Sequence, residues 1–174
     1  GEIKDNITVN TNTPSKPSKK QIIKQAVQFH SQGNIQEAAK HYQDFINQGF
    51  KDHRVFSNYG GILKDHGKLK EAELSTRKAI ELNPQFADAH SNLGTILRDL
   101  GKSEDAFNSY LKVIQIDPTN SNIYHLIIKL LKSLDLSKFN QSKLKEILNL
   151  LLDNNNFPHK ELSKLFHYLY SNEI

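Results

Sequence analysis

Two asparagines stand at matching places in two near-copies of one stretch, VFSNYGGILKDHGK at residues 55–68 and AHSNLGTILRDLGK at residues 89–102. A carboxamide carries both a donor and an acceptor. Asn58 and Asn92 could therefore each pair with the N–H and C=O of an extended chain without reading its side chains. That is binding chemistry, and the other residues offer little for catalysis. The eight histidines (His30, His41, His53, His66, His90, His125, His159 and His167) make no close pair and no carboxylate cluster at ligand spacing. His66 follows Asp65, but adjacent residues of a helix point about 100° apart. The absence of cysteine excludes disulfides, thiolate nucleophiles and thiolate metal sites. No phosphate-cradling glycine loop, nucleophile elbow or dinucleotide fingerprint occurs. The expectation is a chain that is not an enzyme, with no cofactor and no metal.

The elements that position the asparagines follow from the repetition. Residues 53–86 laid over 87–120 without gaps match at Ser57/Ser91, Asn58/Asn92, Gly60/Gly94, Ile62/Ile96, Leu63/Leu97, Gly67/Gly101, Ala72/Ala106 and Pro84/Pro118, among others. A further step of 34 residues back brings Ala26, Phe29, Gly33, Ala38 and Tyr42 into register, so there are three copies, at about 19–52, 53–86 and 87–120. Each predicts two helices. The first covers positions 2–14 of the unit and closes at Gly33, Gly67 or Gly101, residues able to take the left-handed conformation. The second covers about positions 17–30 and stops before Pro84 or Pro118, where the ring and the missing N–H forbid continuation. Gly60 and Gly94 lie inside helices at a cost of about 1 kcal/mol relative to alanine. The cost is explained if they admit Ala72 and Ala106 of the paired helix. In the first copy Phe50 replaces the closing proline.

Small residues at positions 8 and 20, Gly at 15, an aromatic residue or Leu at 4 and 11, Tyr at 24 in two copies and Pro at 32 in two copies resemble the tetratricopeptide repeat (TPR). The resemblance covers residues 20–120 and implies an all-α right-handed solenoid of helix-turn-helix repeats. Departures are His90 at position 4, Phe45 at position 27 and Ser103 at position 17. The pentatricopeptide RNA readers share the period but not the pattern, so no nucleic-acid partner is expected. At 100° per residue, Phe56, Tyr59, Gly60 and Leu63 form the packed stripe of the second copy's first helix. Positions 2, 6, 9 and 13 fall opposite: Arg54, Asn58, Gly61 and Asp65 in the second copy, Asp88, Asn92, Thr95 and Asp99 in the third, Lys20, Lys24, Val27 and Ser31 in the first. His30, Lys64 and Arg98 flank them at position 12.

In tetratricopeptide proteins that side lines a concave groove holding a peptide or partner helix. Asn at position 6 is similar to the asparagine ladder of the O-linked N-acetylglucosamine transferase repeats, whose amides grip a peptide backbone. The resemblance thus implies a peptide-binding groove lined by Lys20, Lys24, Arg54, Asn58, Lys64, Asp65, Asp88, Asn92, Thr95, Arg98 and Asp99. Packing asks nothing of Asn58 and Asn92 on this reading, and Lys24, Lys64 and Arg98 hint at an acidic ligand. The carboxylate clamp of chaperone adaptors is not met, because Asp88 and Asn92 stand where it needs basic residues.

Beyond Pro118 the repeat decays. NIYHLIIKLLKSL keeps the register of a fourth first helix without its glycines, SKLKEILNLLL is an apolar helix, and FPHKELSKLFHYLY begins with Pro158 near a first helical position. Residues 121–174 are expected to form a degenerate fourth repeat and capping helices that close the solenoid. Residues 1–17 are polar with two prolines and read as a disordered leader. The first twenty residues carry half of the net +4, with Lys4, Lys16, Lys19 and Lys20 against Glu2 and Asp5, and this basic stretch reads as a solvated linker. No apolar run reaches the roughly 18 residues of a membrane span and no signal peptide is seen, so a cytoplasmic location with no membrane partner is expected. The chain begins with Gly and contains no Met, so it is expected to be a piece of a longer protein. Abundant Lys, Asn and Ile point to an AT-rich, bacterial genome. The expected function is a protein-interaction scaffold. Alternatives are the recruiting arm of a larger transferase or oxygenase, and self-association through the apolar C-terminal helices.

Overall fold

The computed structural model describes residues 17–135 and 139–153, with the single positions 163, 167 and 170. The expected leader lies outside these residues except for Pro17, and the expected capping helix over 157–170 lies outside them except for Ser163, His167 and Tyr170. Among the described residues there are eight helices and no strand: α1 (Lys19–Ser31), α2 (Ile35–Asn47), α3 (His53–Asp65), α4 (Leu69–Leu82), α5 (Ala87–Asp99), α6 (Ser103–Ile116), α7 (Ser121–Ser133) and α8 (Gln141–Leu152). They fall into two compact units, one ending at Phe50 and the other beginning at Lys51.

In the first unit, α1 starts on a reciprocal cap. Ser18 Oγ accepts from the Gln21 N–H at 3.3 Å, and Gln21 Oε1 accepts from the Ser18 N–H at 2.7 Å, so two orphan donors of the helix start are satisfied. Ile22 and Ala26 of α1 are buried with Ala38, Tyr42 and Phe45 of α2. Phe45, a departure in sequence, is fully buried with its ring 5.3 Å from that of Phe50. The two phenylalanines of this copy thus stand where later copies carry Ala79 and Pro84, or Val113 and Pro118.

In the second unit, α3–α4 and α5–α6 are helix hairpins turned at Gly67 and Gly101, both with φ near +75° (75° and 76°), where a Cβ would crowd the backbone. The second helices stop at Leu82 and Ile116, and the residues preceding the prolines, Asn83 and Asp117, take extended φ of −146° and −138°. α7 repeats the burial pattern of α5: Ile123, Tyr124, Ile127, Leu130 and Leu131 occupy the places of Ala89, His90, Leu93, Ile96 and Leu97. Even the polar contact is kept. His90 Nε2 donates to Pro84 O at 2.9 Å, and Tyr124 Oη donates to Pro118 O at 3.1 Å. The odd histidine at position 4 therefore ties the start of its repeat to the preceding proline turn, as the tyrosine does. The core continues into α8, where Leu144, Ile147, Leu148 and Leu151 are fully buried.

Of the two helix-interior glycines, Gly60 does admit Ala72, as expected, together with Thr76, and Gly94 faces another neighbour. A Cβ on Gly94 would strike the ring of Tyr110, not Ala106. On Gly60 it would strike Thr76 Oγ1 and come within 3.2 Å of Ala72 O. Position 24 thus fills the glycine notch, with Tyr in one repeat and Thr in the other. Thr76 is fully buried, and its hydroxyl has no hydrogen-bond partner among the described residues. An unpaired buried hydroxyl costs about 1–3 kcal/mol, so the near-isosteric Thr76→Val is expected to stabilise the protein by about 1 kcal/mol. A thermal melt should show Tm raised by roughly 2–4 °C; a fall would mean that the hydroxyl is satisfied in solution.

Candidate functional site

Helices α3 and α5 are each packed from two directions, by their own second helix and by a neighbouring repeat of the unit. The buried arc of α3 is accordingly wider than the stripe expected from sequence. Val55 and Ile62 join Gly60 and Leu63, while Phe56 and Tyr59 are only half-buried. What remains uncovered on α5 is one continuous strip: Asp88, Ser91, Asn92, Thr95, Arg98 and Asp99. On α3 the corresponding Arg54, Asn58, Gly61, Lys64 and Asp65 are likewise exposed or half-exposed. Lys20 and Lys24 belong to the first unit, both exposed on α1. There Lys24 joins Pro17, Gln21, Gln25 and Gln28 around a shallow hollow of about 380 Å³.

Asn92 is not idle. Its Nδ2 donates to Ser57 Oγ at 3.1 Å and lies 3.5 Å from Ser57 O, so the amide bridges α5 to α3. Ser57 is buried at 1% exposure. The expectation that packing asks nothing of Asn92 is thus corrected: the repeated Ser-Asn dipeptide is an inter-repeat clasp, in which the serine of one copy receives the asparagine of the next. The clasp occurs once in register. Ile23 precedes Ser57 by 34 residues and Leu126 follows Asn92 by 34, and neither can make it. Thr95 is also engaged. Its hydroxyl donates to Ser91 O at 3.1 Å, which leaves its oxygen, 3.3 Å from Tyr110 Oη, to accept from the phenol. Burial pushes the Tyr110 phenol pKa up.

The charges on this strip are mostly self-paired. Lys64 Nζ lies 2.9 Å from Asp65, Arg98 lies 2.7 Å from Asp99, and Arg54 lies 2.9 Å from Asp52. Asp52 also caps α3 by accepting from the Arg54 N–H at 3.0 Å, and its side-chain bond to Arg54 holds its pKa below the usual carboxylate value. The hint of an acidic ligand from Lys64 and Arg98 therefore loses its footing, because each guanidinium or ammonium already has a carboxylate of its own helix or cap. The strip extends onto α7, which sequence reasoning did not nominate. Asn122, Leu126, Lys129 and Ser133 follow Asp88, Asn92, Thr95 and Asp99 by the same 34 residues, and that step was the available signal. Asn122, Lys129 and Ser133 are exposed and Leu126 is half-buried, and no ion pair holds Lys129 among the described residues.

Several histidines of the repeats make local contacts. His66 Nδ1 is 2.8 Å from Ile62 O at the end of α3, His41 stacks on Phe29 at 5.2 Å, and His53 meets the Phe86 ring edge-on at 4.7 Å. Among the described residues no three His, Cys, Asp or Glu side chains gather where a metal could sit, and no helix is long and apolar enough to cross a membrane.

Models of the tetratricopeptide repeat family match residues 53–86 and 87–120. The chain contains tetratricopeptide repeats. No curated protein sequence is similar to it. Solved structures that share the TPR fold include the first TPR of Spaghetti (RPAP3) bound to the HSP90 peptide SRMEEVD, at 21% identity and TM-score 0.61 over 66% of this chain and 91% of that one. The crystal structure of MamA matches at 21% identity and TM-score 0.62, over 66% and 67% of the two chains. The Arabidopsis OM64 TPR domain matches at 15% identity and TM-score 0.62, over 67% and 96%. At these identities the likeness is one of fold. TPR domains are protein–protein interaction modules, and the strip on α3, α5 and α7 is the side of those first helices that packing covers least.

Proposed function

We propose that this TPR protein binds an extended peptide segment of a partner protein along the strip formed by α3, α5 and α7, and that it does no chemistry on that partner. The observation that carries the reading is the unbroken polar strip of α5, Asp88, Asn92, Thr95 and Asp99 with Ser91 and Arg98 beside it, in a helix whose every other side is buried. The same fold holds a peptide in Spaghetti (RPAP3). Residues Asn58, Asn92 and Thr95 line the middle of the strip, with Arg54, Lys64, Asp65, Asp88, Arg98 and Asp99 along its edges. Self-association through α7 and α8 is less well supported, since their apolar side chains Ile127, Leu130, Leu144, Ile147, Leu148 and Leu151 are consumed in the unit's own core.

The test uses 12-residue peptides selected from a display library on the immobilised protein, with affinity read by fluorescence anisotropy. Asn58→Ala combined with Asn92→Ala is expected to weaken the selected peptide at least tenfold. The same pair should lower Tm by a few degrees, because the clasp to Ser57 is lost. Leu74→Ser, on the outer side of α4 where Leu74 is 72% exposed, should leave binding unchanged. Loss of binding in Leu74→Ser with none in the asparagine pair would move the site off the strip.

A further inference from the structure

We propose that Ser57 orients the Asn92 amide so that its acceptor, Oδ1, is turned to the groove, and that the ligand brings an N–H donor there. The inference rests on the groove reading above and deepens it. A carboxamide can sit either way round against a hydroxyl, which both donates and accepts. It cannot do so against a backbone carbonyl, which only accepts. Asn92 faces both groups of Ser57, Oγ at 3.1 Å and O at 3.5 Å.

With the amide turned round, Oδ1 would oppose Ser57 O at that separation. Ser57 is 1% exposed, so no water could stand between the two oxygens. Nδ2 is therefore turned to α3, with both its acceptors on Ser57, and Oδ1 is left facing away. Asn92 itself is only half-buried, which leaves that oxygen open to the groove. The sequence expectation was an amide that reads N–H and C=O alike; the geometry holds it one way round, with its acceptor toward the ligand. Ser57 touches no ligand and acts as a positioning residue. Donors that fit are a backbone N–H of an extended peptide, or the ammonium or guanidinium of a Lys or Arg side chain.

Two experiments on the full chain test this. In ¹⁵N-labelled protein without ligand, both Asn92 side-chain amide protons should show nuclear Overhauser contacts to Ser57. Their hydrogen exchange should be slowed at least tenfold relative to an exposed asparagine amide, and Ser57→Ala should remove most of that protection while helix content by circular dichroism is kept. Freely exchanging Asn92 amide protons with no contact to Ser57 would overturn the proposal whether or not any peptide binds. In the second experiment, each backbone N–H of the display-selected peptide is methylated in turn, and separately each Lys or Arg is replaced by norleucine. One such donor deletion should cost about tenfold on the wild type and nothing on Asn92→Ala; a methylation effect identifies a backbone donor, a norleucine effect a side-chain donor. Ser57→Ala should weaken the unmodified peptide several-fold. If every donor deletion acts equally on the wild type and on Asn92→Ala, the one-way reading fails while the groove stands. If the unmodified peptide binds Asn58→Ala/Asn92→Ala as it binds the wild type, the groove reading fails instead.

Discussion

Gly94→Ala is expected to destabilise the protein by about 2 kcal/mol, whereas Gly61→Ala is expected to stabilise it by up to about 1. Helix propensity alone predicts a gain of about 0.8–1.0 kcal/mol for both, because each glycine lies inside a helix. What separates them is the space that a methyl group would enter. At Gly61 a Cβ meets nothing within 4 Å. At Gly94 it would overlap Tyr110 Cε1 and Cδ1 and lie 3.0 Å from Cζ. That ring cannot swing aside, since Tyr110 is fully buried and its hydroxyl is tied to Thr95 at 3.3 Å. Overpacking a core typically costs about 1–3 kcal/mol and more where no neighbour can yield, so it outweighs the propensity gain. Urea unfolding of the two variants should move the midpoints in opposite directions at unchanged slope. A stabilised Gly94→Ala would show that the ring does not cover that glycine. A longer side chain, as in Gly94→Leu, is expected to abolish folding of the α5–α6 hairpin.

The same two glycines show what the sequence could and could not tell. The period of 34, the turn glycines and the closing prolines place helices α1 to α6 within a residue or so, because each rests on local backbone rules: left-handed φ at Gly67 and Gly101, and no helix through Pro84 or Pro118. Which side chain fills the notch over Gly94 is a matter of three dimensions. Ala106 and Tyr110 both face α5, and only the interaxial distance decides that the ring reaches the glycine. The site was half legible for a similar reason. Helical phase identifies the uncovered strip, since burial of Ala89, His90, Leu93, Gly94, Ile96 and Leu97 leaves it no other place. Phase says nothing of contacts across repeats, and the Asn92–Ser57 clasp lies between helices 35 residues apart in sequence. Charge was misjudged through side-chain length. Adjacent helical residues diverge by about 100° at Cβ, yet the long Lys64 and Arg98 side chains fold over to Asp65 and Asp99.

Phe107→Ala is expected to cost about 3–5 kcal/mol, the range for emptying a buried phenylalanine site, and its effect should spread beyond its own helix. Phe107 is fully buried on α6, and its ring lies 5.3 Å from that of Phe139, edge to face. Phe139 sits just before α8, whose Leu144, Ile147, Leu148 and Leu151 belong to the same core cluster. In a stacked-repeat protein each unit draws its stability from its neighbours, and the last regular repeat has an apolar side that something must cover. Here α7 and α8 cover it, and Phe107 is the joint. Truncating it should loosen α6 and α8 together, whereas Lys112→Ala on the same helix, which removes only the 3.5 Å contact to Gln115, should change stability by less than about 0.5 kcal/mol. Native-state hydrogen exchange resolves the two cases. In Phe107→Ala, amides of α6 and α8 should lose protection in parallel, while those of α3 and α4, which contain none of this cluster's buried residues, keep most of theirs. If α8 keeps its wild-type protection while α6 loses its own, the C-terminal helices hold themselves together, and their apolar faces do not serve to close the repeats.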